Sequence, residues 1–160
     1  MTDANELKSA LATARDTITS ATTKRTEDRR KQETLMASAL AKGSTKKAIA
    51  EAAGVSRAWF YKADLAPNTP AVGRPPTPAT EDQQRTLNEL QALRAEIERT
   101  DGVLMDERAR RDDLVRDLVK HHEVTAEELI AASGLSAESL RGILGGKLKK
   151  RLTGRIHHHD

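Results

Sequence analysis

The chain has 160 residues, of which 32% are charged, 37% hydrophobic and only 2% aromatic. It contains no cysteine, which excludes disulfide scaffolds, thiol catalysis and cysteine-ligated zinc. With one Trp, one Phe and one Tyr, the core must be built from Ala, Leu, Ile, Val and Met. That composition predicts packed helices rather than a β-sandwich. No apolar run approaches the ~18 residues of a membrane span. The opening MTDANELKSA has no basic segment followed by an apolar one, so no signal peptide is expected. An all-α, cytoplasmic protein without a membrane anchor is the expectation.

The first element is a long helix. Leu7, Leu11, Ala14, Ile18 and Ala21 recur at alternating steps of four and three, the spacing of a coiled-coil seam. The same register then meets Arg25, Asp28 and Gln32 before returning to Leu35 and Ala39. Such a seam suits either a homodimer or a helix packed within its own domain. A supporting helix from Lys31 to Lys42 is expected at its end.

Residues 45–63 read TKKAIAEAAGVSRAWFYKA, and their pattern is that of a helix-turn-helix. Thr45 is placed to cap a helix running to Ala53. Gly54 supplies the left-handed residue of a tight turn. Val55 is expected to plug the space between the helices, and Ser56 to cap the next helix. With Gly54 as the ninth motif position, Ala50 is the small residue that permits a close crossing. Val55, Phe60 and Ala63 face the core. The exposed face of the second helix then carries Ser56, Arg57, Ala58, Tyr61 and Lys62. Arginine hydrogen-bonds guanine in the major groove, and lysine reaches bases or phosphates. Lys46 and Lys47 open the first helix, where phosphate contacts are made. Trp59, Phe60 and Tyr61 are consecutive and cannot share one face. Phe60 is assigned to the core, Trp59 to its edge and Tyr61 to the DNA side.

The run AAGVSRAWFY, Ala52 to Tyr61, resembles the AGVS-R-x-x-x-Y recognition segment of many bacterial regulators, including the TetR-like repressors. It is also similar to small accessory DNA-binding proteins carried beside transposon recombinases. Those proteins follow the motif with a proline-rich stretch and a coiled coil. The resemblance spans about 20 to 35 residues and implies a DNA-binding role for Arg57, Tyr61 and Lys62. The chain departs from TetR-like repressors in leaving no room for their large helical ligand domain.

Pro67, Pro70, Pro75, Pro76 and Pro78 are the five prolines of the chain. Proline fixes φ and removes a backbone donor, so residues 65–79 are read as an extended linker. It would join a first domain, 1–64, to a second, 80–160. Gly73-Arg74-Pro75 resembles the core of an AT-hook, but without its flanking basic residues.

Thr80 is placed to cap a helix that begins with Glu81 and Asp82. A second seam follows at Leu90, Leu93, Ile97, Leu104, Leu114 and Leu118. Thr100-Asp101-Gly102 marks either a hairpin or a weak point in one long helix. Residues 125–143 read TAEELIAASGLSAESLRGI and repeat the pattern of 45–63 at a shift of 80. Thr125, Leu129, Gly134, Leu135, Ser136 and Leu140 match Thr45, Ile49, Gly54, Val55, Ser56 and Phe60. Ile130 replaces Ala50, a change expected to alter the helix crossing. Ser136 and Arg141 lie on the exposed face, together with Ala137, Glu138 and Gly142. The following segment adds Lys147, Lys149, Lys150 and Arg151.

Charge is unevenly distributed. Residues 45–79 carry five basic and two acidic side chains, and 147–160 carry five and one. Residues 80–146 carry nine basic and fifteen acidic. Focused basic patches concentrate polyanions even at small net charge. His121-His122 and His157-His158-His159 lack the carboxylate or cysteine spacing of a metal site, and the acidic residues alternate with arginine, as on solvated helix faces. No enzyme, cofactor or metal is expected.

These readings converge on an all-α fold with two small helix-turn-helix units. A proline-rich linker and a long helix or helical hairpin would join them. The expected partner is double-stranded DNA, in a nucleoid-associated setting. Transcription regulation, as a repressor of a bacterium, phage or other mobile element, is the expected role. An accessory or architectural DNA-binding protein for recombination, transposition or partition is the first alternative. A coiled-coil protein-interaction module is the second. A homodimer would use the Leu7, Leu11, Ile18 seam or the Leu90, Leu93, Ile97 seam.

Overall fold

A computed structural model describes residues 3–56, 58–59 and 80–145. Among them the chain is helical, with no strand. Helix α1 spans Ala4–Ala41, α2 Lys46–Ala53, α3 Glu81–His121 and α4 Ala126–Ser133. A fifth helix, α5, covers 137–145. None of these helices is long and apolar enough to cross a membrane.

The hairpin alternative at Thr100-Asp101-Gly102 is not what forms: α3 runs unbroken for 41 residues. Gly102 has open space around it, so no packing requires its small size there. Packing of the helix sides outweighs one poor helix former. Helix α3 begins as read. Thr80 accepts from the Gln83 amide at 3.1 Å, and Gln83 returns a bond to the Thr80 amide at 3.0 Å, closing a capping box.

The chain forms two compact units, and their boundary does not follow the division at the proline stretch. One, the central unit, is Thr23–Asp101. The other, the terminal unit, joins Met1–Thr22 to Gly102–Asp160. Each long helix therefore gives one stretch to each unit.

In the central unit the core is Met36, Ala39, Leu40, Ile49, Ala50, Ala52, Ala53, Leu87 and Leu90. The end of α1, the start of α3 and α2 pack together around this core. Lys42 bonds Asp82 and Thr86, while Lys24 reaches Glu96 and Arg25 reaches Asp101. The order of these pairs makes the two stretches antiparallel. Arg25, Asp28 and Gln32, the polar interruptions of the α1 seam, each have a defined partner. Gln32 is 1% exposed and donates to the Ala53 carbonyl at 2.9 Å. Its own oxygen accepts from Arg29. Asp28 accepts from Lys24 at 2.8 Å. A buried amide satisfied on both ends fixes register where a leucine would only fill space.

In the terminal unit the core is Leu7, Leu11, Val115, Leu118, Val119, Val124, Leu129, Leu140 and Leu144. Burying a leucine fully contributes roughly 1.5–3 kcal/mol. Here short helices α4 and α5 close against the start of α1 and the end of α3. Lys8 adds a surface ion pair to Glu128 at 3.4 Å.

The homodimer seams are consequently occupied inside the chain. Leu7, Leu11, Leu90 and Ile97 are all buried, and only Ile18 and Leu93 retain partial exposure. The apolar stripe that suggested a second copy is used by the chain's own helices.

Two predictions follow from this packing. Gly54 has φ +70 and a Cβ there would lie 2.6 Å from Arg94, whereas Gly102 has nothing within 4 Å. Gly54→Ala is expected to destabilise the protein by about 1–2 kcal/mol, and Gly102→Ala to stabilise it by about 1 kcal/mol. Urea unfolding of both variants checks the opposite signs. The second concerns Lys24, whose hydrogen bonds to Asp28 and then to Glu96 raise it above the ordinary 10.5. A raised lysine stabilises while it is charged, and that contribution is lost as pH climbs through the raised value. Stability measured from pH 9 to 12 should fall less steeply in Lys24→Met than in the parent, if only slightly for so exposed a group.

Candidate nucleic-acid interface

In the central unit, Thr45 adopts extended backbone, φ −72 and ψ 150, and its hydroxyl accepts from the Ala48 amide at 3.1 Å. Helix α2 follows, with Ile49, Ala50, Ala52 and Ala53 buried. Gly54 is left-handed, φ 70 and ψ 30, and its amide donates back to Ala50. The Val55 amide donates to the same carbonyl at 3.1 Å. Ser56 then accepts from the Trp59 amide through both its hydroxyl and its carbonyl. This is the geometry of a helix N-cap, reached two residues beyond the glycine. Val55 and Trp59 are partly buried against the central core, the positions the sequence pattern gave them.

The candidate contact residues fall as follows. Lys47, Ser56 and Ala58 are exposed and Lys46 is half-buried. Arg57, Tyr61 and Lys62 lie outside the described residues, as do Phe60 and Ala63 of the expected core. Helix α2 has no acidic residue in its first turn, and two lysines stand there instead. The positive end of a helix dipole disfavours cations. Lys46 and Lys47 thus sit where their charge opposes the helix dipole.

One cation beside this turn was not among the sequence candidates. Arg94 of α3 lies over Gly54 and donates from Nη1 to the Glu51 carbonyl at 3.0 Å. Its Nε bonds Glu98 at 3.0 Å. Lys47, Ala50, Glu51, Gly54, Val55 and Arg94 line an open concavity of about 540 Å³. Nothing in the spacing of the sequence links Arg94 to Gly54. Only the folding of α3 onto α2 does.

The terminal unit carries the corresponding turn. Thr125 and Glu128 form a reciprocal capping box at 3.1 and 3.3 Å. Gly134 is left-handed, φ 71 and ψ 9, and its amide bonds Ile130. Ser136 accepts from the Ser139 amide at 3.1 Å and starts α5. Leu140 and Leu144 point into the core, and Ser136, Ala137, Glu138, Arg141 and Gly142 are exposed. Ile130 does not occupy the buried place of its counterpart: it is 37% exposed, where Ala50 is 6%. Arg15 of α1 covers this turn, donating from Nη1 to the Ala131 carbonyl at 2.7 Å. Glu127 and Glu128, not lysines, occupy the first turn of α4. Lys147, Lys149, Lys150 and Arg151 lie outside the described residues.

The two turns thus share a backbone and differ in charge. The first opens on two lysines and leads into Arg57 and Lys62. The second opens on two glutamates and presents Glu138 beside Arg141. No protein-family model matches the chain, and neither does any curated protein or solved structure.

Proposed function

We propose that the chain is a sequence-specific DNA-binding protein, a regulator of transcription, and that the turn around Gly54 is its reading head. The observation that carries this is the conjunction at one place of a glycine-centred turn, a serine cap on the Trp59 amide and two lysines at the wrong end of a helix dipole. In this reading Arg57, Ala58, Tyr61 and Lys62 face base edges in the major groove. Lys46, Lys47 and Ser56 hold the phosphates. The turn around Gly134, with Ser136 and Arg141 on its face and Lys147, Lys149, Lys150 and Arg151 beyond it, serves as a second contact. Its glutamates make it the weaker of the two, because carboxylates near phosphate are repelled. The division of the chain into two units, each with one such turn, supports a bipartite site in which two modest contacts combine through effective concentration.

Selection of bound fragments from a random DNA pool at ~150 mM salt tests the reading, since that salt suppresses binding through phosphates alone. An enriched motif is expected. Arg57→Ala should relax preference at one base position, a loss of ~1–3 kcal/mol in discrimination. Lys46→Ala with Lys47→Ala should weaken all sequences alike and reduce the salt slope by about two. Absence of enrichment, with weak binding that vanishes as salt rises, would overturn it.

A further inference from the structure

The repeat that the sequence shows only around the two turns extends over the rest of the described chain. The trailing stretches of the long helices correspond: Met36 with Val115, and Ala39 with Leu118, all four fully buried. The leading stretches correspond as well, at nearly the same shift. Leu11 and Leu90 are each 0% exposed. Leu7 and Thr86 are both buried one turn earlier. Arg15 and Arg94 follow four residues after those leucines, and both do the same thing. Each lies against the left-handed glycine of a turn, Gly134 or Gly54, and donates to a carbonyl near the end of the preceding helix, Ala131 or Glu51.

The arginines are crossed, however. Arg15 belongs to the first half of the chain and covers the turn of the second. Arg94 belongs to the second half and covers the turn of the first. The leucines follow the same rule, Leu11 joining the core of Leu129 and Leu140, and Leu90 that of Met36 and Ile49.

We infer that the chain is two copies of one plan, a long helix followed by a short helix and a glycine turn, whose leading helical arms are exchanged. Each arm is a docking surface for the other half, and neither half is a complete fold alone. Charge names the partner. Four ion pairs join the halves: Lys8–Glu128, Lys24–Glu96, Arg25–Asp101 and Lys42–Asp82. In all four the cation comes from the first half and the carboxylate from the second. The first half's own residues at the places of Glu96, Asp101 and Glu128 are Thr17, Thr22 and Ala48. A first half facing a copy of itself would lose those three pairs, so the arms select the unlike half. The inference does not depend on DNA binding.

Two experiments on the full chain test it. In the first, a site-specific protease sequence is inserted between Asn68 and Thr69 and cut after purification. The two pieces should elute together and keep the helical circular dichroism of the uncut chain. Pieces that separate, each retaining its full helical signal, would overturn the exchange. In the second, amide hydrogen exchange is followed in Leu11→Ala and Leu90→Ala of the uncut chain. Leu11→Ala should speed exchange at least about tenfold in 126–145 while sparing 46–53, and Leu90→Ala should do the reverse. Acceleration confined to the turn of the mutated half, or equal in both, contradicts the inference.

Discussion

An eight-residue helix has one apolar face and nothing of its own to bury it against. Isolated helices of that length are unstable in water. Both α2 and α4 are of this length, and everything else in the structure answers that need. After α4 the turn brings α5 alongside, but a pair so small still leaves a side open. The long helices close it, a trailing stretch and a leading stretch packing against each of α2 and α4. The arginines on the leading stretches complete the arrangement by bonding carbonyls at the ends of α2 and α4 that the helix itself leaves unmatched.

This constraint explains why so much of the local structure was legible in the sequence and why the division of the chain was not. Caps and turns are short-range chemistry. Thr45, Thr80, Thr125, Gly54, Gly134, Ser56 and Ser136 do what their residue types dictate, because a hydroxyl one turn before an amide or a residue without Cβ acts within a few residues of itself. The composition likewise foretold an all-helical core. What the sequence concealed was the partner of each face. The stripe of Leu7 and Leu11 looks the same whether it meets a second chain or residues 115–144. Proline clustering pointed to a boundary between elements, yet a boundary between elements need not be a boundary in packing. Arg25 and Gln32 read as defects in a seam because their partners, Asp101 and the Ala53 carbonyl, are near only after folding.

The candidate interface shows the same split between local and distant information. Lys46 and Lys47 were recognisable from their position at a helix start. Arg94 was not, since it lies forty residues beyond Gly54 along the chain. The two turns also show that one backbone can carry opposite surfaces. The buried positions are constrained by the packing just described and are nearly interchangeable, Ile49 for Leu129. In the first turns of α2 and α4 the charge reverses, from Lys46 and Lys47 to Glu127 and Glu128. Helix stability favours the acidic version. In α4 the acidic version also closes the capping box through Glu128.

Helix sharing also sets an order of assembly. The Arg15 bond to the Ala131 carbonyl closes across 116 residues, a long separation for a helical protein. Contacts so distant along the chain carry a larger loop-closure cost and slow folding relative to bundles built from neighbours. During synthesis the central unit has all its residues once Asp101 has emerged. The first twenty residues must wait for α4 and α5, with Leu7 and Leu11 open to solvent meanwhile. The start of α1, made before the residues it packs against, is thus among the last parts of this fold to find its place.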